Sequence, residues 1–430
     1  MAIRIEKIRS LIRINRDVPA LPFIIAGCLL LALGLVGVVR VFVQGHEAVY
    51  GVTRQVPWGL LIATYAYFVI ISTGLAFIGG LGHAFGVASF AKMSRRIVML
   101  AFVVLLAGFT QIGMELGHPF RLMYLLLLSP HFSAPIVWMG LFYTVELVIL
   151  GLELIVIFYP SGVNHRLAAI LGFLGLLVGV IATSNLGFVF GSLSARPFYH
   201  GIYFPVFLVI SGIAGGAALL MVVYNIVYKL KIPETYKGAM KSLERLMGLS
   251  VGVMILLLVW KVLSSLYSQP GDAYAAVMTL IAGPLAPEFW IGEVLMALIL
   301  PLGMLVANRG RSMAVSGIAG LVFLVGMFFT RFNFIVAGQL PPMRAGNEGA
   351  GVETVNGLMQ YAPSTGEWMI FALGLGVFFF LYFMAERFLE MEIHSKSKHL
   401  ILTTESTERH GKGRQMIPSS SCSSCSSWLK

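Results

Sequence analysis

Between two long apolar runs, residues Glu115 to Gly140 read ELGHPFRLMYLLLLSPHFSAPIVWMG, a connecting stretch with an acid, two histidines, an arginine, a tyrosine and a tryptophan. Polar side chains beside hydrocarbon are costly and call for a reason. Glu115 and His118 can each accept or donate a proton, and Arg121 can serve as their charge partner. Further along, Glu146 and Glu153 stand seven residues apart, which puts both carboxyls on one face of a helix. With His83 they form a series of protonatable groups resembling a proton path, because an intramembrane acid has to be neutralised, paired or hydrated. The alternative is that each acid pairs with a nearby base or hydroxyl and only holds helices together. An aromatic set, Trp58, Tyr65, Tyr124, Trp138 and Tyr143, accompanies them. Interfacial Trp and Tyr ordinarily form membrane belts. Grouped with Glu115, His118 and Arg121, these rings fit a slot for a quinone, which needs an apolar pocket, a donor for one carbonyl oxygen and a titratable acceptor for the proton released on oxidation.

The elements that must position these residues are membrane helices. The chain has 430 residues, 58% of them hydrophobic and only 11% charged, which is too apolar for a soluble protein of this length. Runs of about 20 apolar residues recur along it, each long enough to cross the hydrocarbon core. The strand alternation of an outer-membrane barrel is absent. Ten spans are expected, near 20–43, 57–83, 96–117, 134–159, 167–191, 203–228, 244–267, 288–307, 313–337 and 368–389. The first run is too long for a signal segment and has neither a small-residue cleavage site nor a twin-arginine pair, so it reads as a retained helix.

A net charge of +11 would suit nucleic acid, but the basic residues lie in loops, where they orient the chain. The N-terminus, the even-numbered loops and the tail hold 23 Lys and Arg against 4 in the odd-numbered loops, while Arg40, Lys261 and Arg331 fall within spans. The positive-inside rule then predicts a multi-pass protein of the cytoplasmic membrane with both termini in the cytoplasm. Glu115 and its neighbours face the outer side, as do Trp58 and the loops 268–287 and 338–367.

An internal repeat follows once the spans are aligned. Ala134-Pro-Ile-Val-Trp-Met-Gly140 matches Ala286-Pro-Glu-Phe-Trp-Ile-Gly292, Leu177 to Thr183 matches Leu324 to Thr330, and Phe68 to Ser72 matches Phe207 to Ser211. The unit is four helices used twice in parallel. The expected organisation is an all-α integral membrane fold: a basic N-terminus (1–19), a first helix and loop (20–56), a four-helix bundle with the quinone site (57–202), a second bundle (203–340), a loop and last helix (341–390) and a disordered tail (391–430). The region around Leu298 to Leu305, opposite Glu146 and Glu153, has no acid, so bundle one reads as the working half. Gly212-Ile-Ala-Gly-Gly216 reads as close helix packing.

The nine histidines all fall outside the middles of the spans, which disfavours a membrane haem with axial ligands on facing helices. No C-x-x-C-H, iron–sulfur spacing or phosphate-binding loop occurs, and Cys422 and Cys425 form a lone pair in a Ser-rich tail.

Trp58-Gly59, the turn Glu115-Leu-Gly-His-Pro-Phe-Arg121, Ser133-Ala-Pro and Trp138-x-Gly140 together resemble the NrfD/polysulfide-reductase membrane-subunit family, in which the turn usually reads D-x-G-x-P-x-R. Arg331 to Gly338, Tyr361 to Ser364 and Glu367-Trp368 are similar to the ten-helix branch found in Dsr- and Hmc-type redox complexes and alternative complex III. The resemblance covers roughly residues 15–390. It implies a subunit without haem or iron–sulfur cluster of its own that exchanges electrons between quinone or menaquinone and an outer-side iron–sulfur ferredoxin-like or multihaem cytochrome subunit, beside other membrane subunits. Glu115 replaces the usual Asp and keeps the carboxylate; His118 takes a position that is often basic.

The reading is therefore a quinone-interacting subunit of a respiratory oxidoreductase, inactive without its partners. Glu115 and His118 exchange protons with Arg121 as charge partner, Trp58, Tyr65, Tyr124 and Trp138 form the slot, and Glu146, Glu153 and His83 make a route inward. A secondary transporter is the first rival, although its repeats are often inverted and its site helices broken at mid-membrane. A non-catalytic anchor is the second, and it would need neither quinone nor Glu115.

Overall fold

The computed structural model describes residues 18–117, 128, 131–158, 164–269, 271–343 and 354–392. Ten helices among them are long and apolar enough to cross a membrane. They are α1 (Ala20–Gln44), α2 (Leu60–His83), α3 (Ser94–Glu115), α4 (Pro135–Ile157), α5 (His165–Gly191), α6 (Tyr203–Val227), α7 (Glu234–Leu266), α8 (Glu288–Asn308), α9 (Met313–Val336) and α10 (Thr365–Phe388). The described residues contain no strand. The spans match the ten expected from hydropathy, with one extension. α7 starts at Glu234 rather than near 244, because Pro233 and an acidic first residue open a helix well and Tyr236, Ala239, Met240 and Leu243 then bury a stripe at helical spacing. The loop after α7 also holds a short helix, Asp272–Ile281.

Helices α2 to α5 pack on one another, as do α6 to α9, and the two groups meet where α2 lies against α6 and α9 and where α5 lies against α6. α1 pairs with α10, and α10 leans on α3. The α2/α6 contact is backbone against backbone. A Cβ on Gly74 would stand 1.8 Å from the Gly212 carbonyl oxygen, and one on Gly216 would stand 2.5 Å from the Gly74 carbonyl carbon. In lipid, with no hydrophobic force between helices, such small-residue contacts supply the packing. Gly74→Val is expected to separate the two bundles and cost at least ~1–3 kcal/mol, the range for forcing atoms into a packed interior. Thermal aggregation of the detergent-solubilised protein checks this, and an unchanged midpoint would mean that α2 and α6 are not in contact.

The repeated Ala-Pro-x-x-Trp-x-Gly ends serve as matching latches. Trp138 donates its indole N–H to the Phe132 carbonyl at 2.8 Å, and Trp290 donates to the Ile281 carbonyl at 2.9 Å. Both rings are exposed on the outside of their helices. The helices behind them differ: α4 is regular, whereas Glu288–Ile299 of α8 is π-helical, ahead of Pro301. That wider winding changes which residues face inward. Leu298 and Leu305 are apolar as aligned, yet Glu293 on the same helix is buried. Bundle two thus carries an internal acid that alignment with α4 does not reveal, and the two halves differ less in buried charge than the sequence suggests.

At the His83 end of the bundles, Arg96 is not a solvated loop cation. It is 1% exposed, its Nε donates to Glu386 Oε1 at 2.7 Å and its Nη1 donates to the Tyr228 hydroxyl at 2.8 Å. The Tyr382 hydroxyl donates to the same Glu386 oxygen at 2.6 Å, so α3, α6 and α10 are joined there by one buried ion pair.

Candidate functional site

Glu115 is the last residue of α3, at the end of the protein where α2, α4 and α10 begin. A short strap, His46–Val49, crosses this end. The His46 Nε2 lies 2.8 Å from the Glu115 carbonyl oxygen and the Tyr50 hydroxyl donates to the Met114 carbonyl at 2.9 Å, so the backbone that carries Glu115 is held from the α1–α2 connection. The strap is fixed in turn by Ser364, whose hydroxyl donates to the Val49 carbonyl at 2.7 Å.

A second carboxylate anchors the corner. Glu367 closes a capping box at the start of α10, accepting the Ser364 N–H at 2.8 Å. It also accepts Gly51 N–H at 3.0 Å, Leu60 N–H at 3.3 Å and the Tyr361 hydroxyl at 2.6 Å. Both of its oxygens are fully used. Glu115 lies within electrostatic reach of Glu367, and its own Oε2 is buried with no hydrogen-bond partner. The phenols of Tyr50 and Tyr361 are pushed far above their usual range, first by burial and then by the neighbouring carboxylates, so both remain protonated donors at physiological pH. One turn deeper, Thr64 donates to Gln111 Oε1 at 2.9 Å, and Gln111 donates to the Ile370 carbonyl at 2.9 Å.

The aromatic residues expected to form one slot occupy different neighbourhoods. Trp58 exchanges two backbone hydrogen bonds with the Gln339 side chain, at 3.1 and 2.8 Å, and stands edge-on to Phe190 with centroids 5.1 Å apart. Tyr65 faces Tyr143 at 6.1 Å. Trp138 packs on Phe132 and Phe142 at the surface. His118, Arg121 and Tyr124 lie outside the described residues.

Below Tyr65 runs a buried hydroxyl chain. Tyr143 and Thr183 share a hydrogen bond of 3.1 Å, Thr183 donates to Thr73 at 2.8 Å, and Thr73 donates to the Gly179 carbonyl at 3.3 Å. Glu146 sits beside it, wholly buried, with neither oxygen hydrogen-bonded. Gly179 leaves the room for that carboxyl, since a Cβ there would stand 2.9 Å from Glu146 Oε1. Two turns on, about 10 Å along the axis, Glu153 Oε1 meets His83 Nδ1 at 2.8 Å. α4 therefore displays both acids on one face towards α2 and α5.

A cleft of about 870 Å³ lies elsewhere, between the α1/α10 pair and α6/α9, and is lined by Phe328, Phe371 and Trp368 among others. Sequence reasoning did not place Glu367 and Tyr361 at the site, because only the fold brings them to Glu115. Besides the family resemblance of Tyr361 to Ser364 and Glu367-Trp368, the local signal for Glu367 was the Ser364-x-x-Glu367 capping pattern.

A family model described as Polysulphide reductase, NrfD matches residues 48–342. A selenate reductase subunit of Mesobacillus selenatarsenatis is 22% identical over 418 residues, covering 88% of this chain and 95% of that protein. The Hdr-like menaquinol oxidoreductase integral membrane subunit of Archaeoglobus fulgidus is 22% identical over 355 residues, covering 80% of this chain and 87% of that protein. Protein NrfD of Escherichia coli is 25% identical over 180 residues, 38% of this chain and 51% of that protein.

Proposed function

We propose that this multi-pass membrane chain, which belongs to the polysulphide reductase, NrfD family, is the quinone-interacting subunit of an oxidoreductase complex. The names of two relatives support this, one a subunit of a selenate reductase and the other of a menaquinol oxidoreductase. The observation that carries the reading is the Glu115 carboxyl: a buried oxygen free to accept, beside a second carboxylate whose acceptor capacity is already used. Such an oxygen fits the hydroxyl of a quinol headgroup.

A bound quinol supplies two electrons and two protons. Glu115 accepts the two protons one after the other at Oε2, the first leaving before the second arrives, while Tyr50 and Tyr361 keep theirs and hold the surrounding backbone. His118, three residues on, passes each proton to water, and Arg121 balances the charge. Of the aromatic set, Trp58 borders this corner, two residues before the Leu60 N–H that Glu367 holds. The chain has no haem or cluster ligation pattern in its sequence, so the electrons pass to a docked partner, an iron–sulfur ferredoxin-like or multihaem cytochrome subunit. The loop charges, 23 against 4, support an outer-side site and cytoplasmic termini in the cytoplasmic membrane. Glu146, the hydroxyl chain around Thr73 and the Glu153–His83 pair form a route for protons across bundle one.

Reconstituting the intact complex in liposomes with a short-chain menaquinol analogue tests the reading. Electron transfer to the partner is expected to require quinol. Solute uptake by this chain without any redox partner would instead favour a transporter. For the route through α4, the double substitution Glu146→Gln/Glu153→Gln is expected to abolish proton uptake from the His83 side while leaving at least half of the electron transfer rate. Proton uptake equal to wild type would leave the two acids as helix-packing groups only.

A further inference from the structure

Bundle two contains a polar cluster that the quinone site does not use. On the π-helical part of α8, Glu293 is 6% exposed, and its Oε2 accepts from the Asn333 amide at 2.8 Å. Arg331, on α9 with Asn333, is 2% exposed and donates from Nη2 to the Ser211 hydroxyl at 2.6 Å. Its Nε and Nη1, together with Asn333 Oδ1, are buried without hydrogen-bond partners. Arg331 and Glu293 are within electrostatic reach of each other but do not form a direct ion pair among the described contacts. A buried guanidinium with two idle donors, within electrostatic reach of a carboxyl that itself holds an amide whose oxygen is idle, leaves groups that need further partners, and water is the small group that supplies both donors and acceptors. π-helical turns recur at functional sites, and this one occurs in the α8 copy alone.

We infer that Glu293, Asn333 and Arg331 form a second proton-binding site, hydrated and internal to bundle two, that takes up and releases a proton independently of Glu115. The proton reaches the Glu293 carboxylate from hydronium in the medium, relayed by water in the site, and leaves by the same water. Arg331 is the fixed positive charge that favours its release. Further titratable groups border the site: Tyr203 on α6 lies near Glu293, with Lys261 of α7 stacked 5.4 Å over its ring, and Tyr67 and Tyr143 lie beyond Arg331. Tyr143 is also near Glu146, which brings this cluster within reach of the hydroxyl chain of bundle one.

Infrared difference spectra of the full chain in lipid nanodiscs, recorded across a pH series without quinol or partners, test the inference. A protonated-carboxyl band that appears as pH falls and shifts in D2O is expected in the wild type. Glu293→Gln should delete one component, whereas Glu146→Gln should leave that component in place. Arg331→Gln should move its midpoint upward by about one pH unit or more, since a nearby cation favours the carboxylate. Asn333→Leu should shift its frequency by removing the amide hydrogen bond, a second readout if Glu293→Gln does not fold. A band unaltered by Glu293→Gln, or a midpoint unmoved by Arg331→Gln, would overturn the assignment. Because quinol is absent, a failure of the Glu115 reading leaves these results unaffected.

Discussion

Glu115→Gln in the intact complex is expected to slow quinol-linked electron transfer by about 100-fold or more, the usual worth of a positioned proton acceptor. Glutamine keeps the size and one acceptor oxygen but cannot take a proton. The fall should therefore appear in kcat, with KM for the quinol analogue nearly unchanged and the partner subunits still co-purifying. Glu367→Gln supplies the contrast. That carboxylate accepts four donors from the α1–α2 connection, the start of α2, Tyr361 and the α10 cap, and an amide with one acceptor oxygen cannot serve them all. Its loss should lower stability and activity together. Glu115→Gln turnover within a factor of two of wild type would remove the carboxyl from the mechanism.

The second large effect concerns Glu386. Replacing it by leucine removes the carboxylate from beside Arg96, a guanidinium that is 1% exposed. Breaking a buried pair from one side costs ~3–5 kcal/mol, whereas replacing both partners by apolar residues is often close to neutral. Glu386→Leu should thus lower the thermal midpoint of the solubilised protein sharply, and Arg96→Met/Glu386→Leu should regain most of it. If the single and double variants melt together, the pair contributes no buried charge to the fold.

Much of the architecture is legible in local sequence. Ten apolar runs specify ten helices because hydrocarbon leaves the backbone no other open-chain way to satisfy its hydrogen bonds. Gly74, Gly212 and Gly216 sit at the contact that small residues predict. The seven-residue spacing of Glu146 and Glu153 places both inside bundle one, since helical periodicity alone decides which side chains share a face. Glu115 is visible for a similar local reason, as a carboxyl at the end of an apolar run.

Other features depend on contacts between distant residues. Trp138, Trp58 and Tyr65 look alike in the sequence as interfacial aromatics, and only their partners separate a surface latch, a junction held by Gln339 and a buried neighbour of Tyr143. Arg96 counts as an orienting loop charge until Glu386, 290 residues away, is seen beside it. Glu293 escapes an alignment with α4 because a π-helical stretch changes the inward face of α8. The amino-acid sequence by itself determined the number of helices, their order and the local faces of their acids, because hydropathy and periodicity act over a few turns. The tertiary structure decided which carboxyls are satisfied and which remain open: Glu367 with four donors, Glu115 and Glu146 with idle oxygens, Glu293 beside an under-used arginine. Hydrogen bonding in a buried interior is settled by whichever groups the packing brings within about 3 Å, and no short-range pattern encodes that.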